Sequence, residues 1–316
     1  MNAAPTDRAY KVISLLIKAG ILILSFWYVF YKLKSTGSQI DFAAILKQSD
    51  VTLLGFTFCL MFVNWGLEAL KWKLLIAPLE NITFFTAFKS VFAGVTISIF
   101  MPNRIGEFAG RIFFLDKAGK VEATLKNFVG ACMQLLITLL MGVPALAFFV
   151  KSSEGCCYSG GNTMLLISVT GPVCAMILLF FLLRRYRYVF SQRLQSYLNA
   201  FDIPFKTLLT VFFISWVRYC VFLFQYYLVL CAFNIHVDLY FALPLIAATF
   251  LITSVIPSFA FTEVVTRGAV AVTLFASVTN DAAAVIAASF TVWIINLAIP
   301  ALTGSLFIGK MKFFKS

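Results

Sequence analysis

The sequence predicts an all-α integral membrane protein, and three observations carry that expectation. Of 316 residues, 61% are apolar and 12% charged, where a soluble domain carries about 25% charged residues. The apolar residues also run in long blocks, at 13–31, 51–67, 128–150, 163–183 and 208–233. Blocks of about 17–25 residues match ~30 Å of hydrocarbon at 1.5 Å rise per residue. Finally, none of the blocks alternates apolar with polar residues, as the strands of a membrane barrel do. In lipid the backbone must satisfy its own hydrogen bonds, and segments this long do so as helices. The chain, 1–316, reads as a single transmembrane unit with no soluble domain.

The net charge is +12. On a soluble protein that balance would suggest nucleic acid. Here the basic residues sit in short loops between apolar blocks, so they orient the chain in the membrane and no nucleic-acid partner is expected. The first block is too long for a signal peptide and lacks a small-residue cleavage site, so it is expected to stay as a helix. Five of the seven cysteines lie in apolar blocks and read as small hydrophobes, while Cys156 and Cys157 share a loop without a CxxC or metal pattern. The only histidine, His236, stands beside Asp238 and reads as a loop residue. The sequence shows no Walker A motif and no glycine-rich dinucleotide loop, so no cofactor and no ATP-driven step is expected of it. Trp27, Trp65 and Trp72 are expected as interfacial anchors.

Two apolar regions resist a single-span reading. Residues 84–118 hold Pro102, Gly106, Arg104, Glu107 and Arg111, and residues 240–275 hold Pro257, Glu263 and Arg267. Proline suits the first turn of a new helix, where its missing N–H is not needed. It marks a break and restart in both places. If both regions are hairpins returning to the side they came from, fifteen Lys and Arg fall on the cytoplasmic side, Lys71 and Lys73 among them. Only Lys32, Lys34, Lys47 and Lys151 fall outside. If 84–118 crossed once instead, the five-charge segment 184–206 would face outward, against the positive-inside rule. The expected architecture is about six spanning helices plus two oppositely oriented re-entrant helical hairpins, with both termini cytoplasmic in a cell membrane.

The two broken regions share a pattern. In each, a proline is followed five or six residues later by Glu, with Arg four residues after that: Pro102, Glu107, Arg111 and Pro257, Glu263, Arg267. Glu followed by Arg at i, i+4 is the favourable order for a pair on one helix face. Opposed broken helices meeting near the midplane, an inverted repeat, are the plan of many secondary transporters. The structural alternative is that each Glu favours a helix N-terminus and each Arg is its salt-bridge partner. Against it stands the insertion cost of a central charge, roughly 2.5–3.5 kcal/mol, which makes intramembrane charges functional candidates. Arg218 adds one more charge inside an apolar block. Arg104, Arg111, Arg218 and Arg267 against Glu107 and Glu263 leave a net +2, which calls for an anionic partner. Phosphate suits both the planar fork of Arg and the N–H groups of a restarted helix.

At these residues the sequence resembles the lysylphosphatidylglycerol synthase transmembrane-region family, which includes the flippase half of the bacterial multiple peptide resistance factor. The motif Pro-x-Arg-x-Gly-Glu-x-x-Arg is found as Pro102, Arg104, Gly106, Glu107 and, one residue late, Arg111. A turn leading to Glu is present from Pro257 to Glu263, with Phe259-Ala260-Phe261 where the family pattern has glycines. A basic–Trp pair ending an early helix is matched by Lys71-Trp72. The resemblance implies transport of a lipid between leaflets, and not its synthesis, since no aminoacyltransferase domain is expected in these 316 residues.

These readings converge on a lipid flippase or lipid-linked-substrate transporter. Its partner would be an anionic phospholipid or a polyprenyl-phosphate-type lipid, held by Arg104, Arg111, Arg218 and Arg267 and oriented by Glu107 and Glu263. Two other classes stay open. One is an intramembrane lipid-modifying enzyme with Glu107 or Glu263 as general base, although no catalytic constellation or metal site stands out. The other is a small-anion transporter. Movement of unchanged lipid separates the first class from the enzyme.

Overall fold

The structure is a computed structural model that describes residues 49–101, 105–154, 203–256 and 260–309, with Leu16 alone from the N-terminal region. The described residues are helical and contain no strand. In order the helices are α1 (Val51–Ile76), α2 (Phe84–Ser98), α3 (Gly106–Ile112), α4 (Lys120–Glu154), α5 (Phe205–Ala232), α6 (Leu239–Val255), α7 (Ala260–Phe275), α8 (Ala282–Trp293) and α9 (Ile299–Ile308). Short polar side chains start four of them by accepting from orphan N–H groups of the first turn. Asp50 accepts from Thr52 and Leu53, Thr83 from Thr86, Asp238 from Tyr240, and Asp281 from Ala284. Helix α5 ends on Asn234 at φ 60°, the left-handed position that usually takes glycine. There the Ile235 N–H closes back on the Leu230 carbonyl at 3.0 Å.

Among the described residues, four stretches are long and apolar enough to cross a membrane: Val51–Ile76, Lys120–Val150, Phe205–Ala232 and Ala282–Ile308. The shortest has 26 residues, about 39 Å of helix against a hydrocarbon core of ~30 Å. The protein is therefore a multi-pass helical membrane protein. The expected blocks 13–31 and 163–183 lie outside the described residues. Ala282–Ile308 is the central span: its most apolar stretch is 72% buried, against 28–33% for the other three. It packs into the two larger hydrophobic clusters. One joins it to α1, α2, the start of α4 and Val264 of α7, and the other joins it to α4, α5, α6 and α7. This span is continuous through a π-turn, Ile294–Ala298, where the Ile299 N–H donates to the Ile294 carbonyl five residues back. Pro300 follows, lacking the N–H an α-helix would need there. The wide turn absorbs that loss.

Helices α2 and α3 form an antiparallel hairpin held backbone to backbone. A Cβ on Gly110 would overlap the Gly94 backbone, and one on Gly106 would come within 2.6 Å of the Ile97 carbonyl carbon. The chain enters and leaves this hairpin at one place. The Glu80 carboxylate, before α2, accepts from the backbone N–H groups of Asp116 (3.0 Å), Lys117 (2.7 Å) and Ala118 (3.0 Å), after α3. Burial opposes the charged form of Glu80, but these three N–H groups hold its carboxyl below the usual range despite the nearby Asp116. The pair α6–α7 likewise begins and ends together, since Phe241 and Leu245 share one small cavity with Ser277 and Val278. Phe148 and Phe149, at the far end of α4, line the same cavity. The first hairpin thus opens beside the start of α4 and the second beside its end.

The structure also departs from the sequence reading. Helix α1 does not stop at residue 67 but continues to Ile76, carrying Glu68 and Lys71 inside the fold at 5% and 2% exposure. Lys71 is a buried ion-pair partner and not a loop charge. Trp65 and Trp72 are buried and not interfacial anchors. Both follow from one fact: the face of α1 that carries residues 61, 65, 68, 72 and 76 is covered by neighbours, so polarity there is met by partners rather than by water.

Candidate functional site

A cavity of about 220 Å³ lies where the spans are at half their length. It is lined by Asn64 and Trp65 of α1, Gln134 and Thr138 of α4, Arg218, Tyr219 and Phe222 of α5, and Trp293, Asn296 and Leu297 of the central span. Phe250, Thr253 and Ser254 of α6 and Glu263 and Arg267 of α7 complete it, so the break in the second hairpin sits at this cavity. The π-turn presents Asn296 here: its Oδ1 accepts from Asn64 Nδ2 at 3.2 Å. The Thr138, Thr253 and Ser254 hydroxyls donate to carbonyls of their own helices, which leaves their oxygens able to accept.

Among the described residues, two guanidiniums face this space. Arg267 pairs with Glu263 at 2.5 Å, and its guanidinium carbon stands 5.6 Å from the Phe250 ring centre and 5.9 Å from that of Phe222. Arg218 stands 5.4 Å from the Trp65 ring centre and donates to Gln134 at 3.2 Å. Behind Arg218 lies a closed charge network centred on Glu68. Its carboxylate receives Lys71 Nζ at 2.7 Å, Arg111 Nη1 at 2.9 Å and Arg218 Nη1 at 3.0 Å. Arg111 also reaches Asn127 at 2.8 Å and Glu107 at 3.2 Å. A carboxylate beside three cations, hydrogen-bonded to Arg111 and ion-paired with Lys71 and Arg218, offsets their desolvation, which is how charges persist away from water.

The residues singled out in the sequence are distributed as follows. Both i, i+4 pairs form, Glu107 with Arg111 and Glu263 with Arg267. Arg218, Glu263 and Arg267 line the cavity, whereas Glu107 and Arg111 stand outside its wall and connect to it through Glu68 and Arg218. Arg104 and Pro257 lie outside the described residues. Sequence reasoning missed Glu68. The available signal was its place at i, i+3 from Lys71 within one helix, obscured by ending the apolar block at residue 67. Asn64, Gln134 and Asn296 were missed because single amides inside apolar blocks carry no motif.

Helices packed around a polar, guanidinium-lined cavity at mid-depth define a multi-pass membrane protein with an internal polar site. The model of the family described as Lysylphosphatidylglycerol synthase TM region matches residues 13–304. The chain belongs to that family, which indicates a function related to membrane lipid. Neither a curated protein nor a solved structure matches the chain.

Proposed function

We propose that this protein moves an anionic, phosphate-bearing lipid or lipid-linked substrate between leaflets without altering it, the head group passing through the mid-depth cavity. The observation that carries this reading is the pair of guanidiniums, Arg218 and Arg267, on a cavity halfway along the spans. A charge there is costly unless it serves a ligand or a partner. Helix α7 starts at this cavity, with Glu263 in its first turn, so the positive end of its dipole adds to the attraction for phosphate. The acyl or prenyl chains stay in lipid, because the cavity is smaller than the ~300–1,000 Å³ of pockets that enclose drug-sized ligands.

In this reading the helical pairs α2–α3 and α6–α7 are re-entrant hairpins from opposite sides, an inverted repeat within six spans. Their open ends at opposite ends of α4 support it, and both termini then face the cytoplasm, as the positive-inside rule directs. The test is reconstitution. Vesicles containing the protein are loaded with acyl-labelled phosphatidylglycerol, phosphatidylserine or phosphatidylethanolamine, and exposure of label to an outside quencher is followed. Faster quenching of an anionic lipid than in protein-free vesicles, with the lipid recovered unchanged, is the expected result. Protein that accelerates none of the three overturns the proposal, and a chemically altered lipid makes the protein an enzyme.

A further inference from the structure

The cavity is selective beyond its attraction for phosphate. Its wall and the network behind it hold four cations, Lys71, Arg111, Arg218 and Arg267, against three carboxylates, Glu68, Glu107 and Glu263. These seven groups thus carry a single excess positive charge, the complement of one phosphodiester. Groups that could receive an ammonium are already engaged. Glu263, the one carboxylate among the described lining residues, pairs with Arg267. Three of the aromatic faces on the wall already carry guanidiniums, Arg218 on Trp65 and Arg267 on Phe222 and Phe250. What the cavity offers are donors and neutral oxygens. Trp65 Nε1–H, Tyr219 O–H and Arg218 Nε–H are buried and have no protein hydrogen-bond partner, and Asn64 Oδ1 is an acceptor in the same position. Trp65 and Tyr219 are 2% and 3% exposed, so bulk water does not serve these groups. Buried donors left in this state are costly, and a ligand rich in acceptor oxygens relieves them.

Resting on the transport reading, we propose that the lipid carried is a monoanionic phosphodiester whose head group bears hydroxyls and no amine. The phosphate meets Arg218 and Arg267. The head-group hydroxyls, which both donate and accept, meet Trp65, Tyr219 and Asn64, with Gln134 and Asn296 beside them. An ammonium brings only donors and faces two guanidiniums.

The test compares lipids whose head groups carry hydroxyls alone with lipids whose head groups carry an amine. Phosphatidylglycerol and phosphatidylserine both carry net −1, but only the second has an amine; phosphatidylethanolamine and lysyl-phosphatidylglycerol extend the series. Phosphatidylglycerol is expected to exchange across protein-containing vesicles and to raise the melting temperature of the purified protein. The three amine lipids are expected to do both at least about tenfold less effectively, since juxtaposed like charges cost several times RT. Gln134→Glu is nearly isosteric and adds a carboxylate beside Arg218, so it is expected to shrink the preference for phosphatidylglycerol over phosphatidylethanolamine. An amine lipid that exchanges as well as phosphatidylglycerol overturns this proposal and leaves transport standing. So does an unchanged preference in Gln134→Glu. Absence of exchange for every lipid overturns the transport reading itself.

Discussion

The two helical hairpins carry the same sequence pattern and put it to different uses. In α2–α3, Arg111 is 3% exposed and surrounded by protein acceptors, namely Glu68, Glu107 and Asn127. In α6–α7, Arg267 pairs with Glu263 across one helical turn and lies against phenylalanine rings at the wall of the cavity. The backbones differ as well. Glycines let α2 and α3 touch main chain to main chain, whereas Gly268 of α7 has open space where a Cβ would stand. A repeated Glu–Arg spacing therefore specifies a local ion pair and nothing more. What the pair does depends on whether the protein has already satisfied it. The Arg111 pair belongs to a network around Glu68, and the Arg267 pair borders a cavity.

The largest expected effects test that division directly. Arg111→Ala and Glu68→Gln each strand buried partners, and removing one member of a buried pair costs about 3–5 kcal/mol. Both variants should lower the melting temperature of the purified protein far more than Arg267→Ala, whose side chain borders a cavity. Arg267→Ala should instead abolish lipid exchange in reconstituted vesicles while the protein still folds. If Arg267→Ala melts as low as Arg111→Ala, the two hairpins are alike and the arginines are structural.

A second comparison uses the glycines. Gly110→Ala must push α3 away from Gly94, and overpacking of this kind costs about 1–3 kcal/mol. Gly268→Ala meets no atom within 4 Å, and replacing glycine inside a helix with alanine gains roughly 0.5–1 kcal/mol. The two alanine variants should therefore shift the melting temperature in opposite directions. Equal shifts would mean that the backbone contact between α2 and α3 does not hold the first hairpin.

The smallest effect is pH-dependent and confined to the first hairpin's mouth. Glu80 is held below the usual carboxylate range by the N–H groups of residues 116–118, against burial and the charge of Asp116. A carboxyl whose folded pKa is depressed adds stability above its unfolded value of about 4.3 and loses that contribution as pH falls through the folded value. Glu80→Gln should accordingly melt below the wild type at neutral pH, and the gap should close on acidification. A gap that stays constant with pH would show that the amide replaces the carboxylate in kind.

Some of this was legible in the residues alone. Apolar blocks long enough to span and Glu–Arg spacings of four are local features, set by the rise and pitch of a single helix. Membership of the lipid-related family rests on the chain's own sequence in the same way. The role of Glu68 was not legible. It meets Arg111 and Arg218 from three separate helices, and a charge at the edge of an apolar block looks like the end of a span until its neighbours are known. Nor could the sequence say which guanidinium faces the cavity, since Arg111 and Arg267 stand in equivalent local settings. Burial, partnering and access belong to surfaces that two or more helices make together. The spacing of residues along one chain carries the helices but not the surface between them.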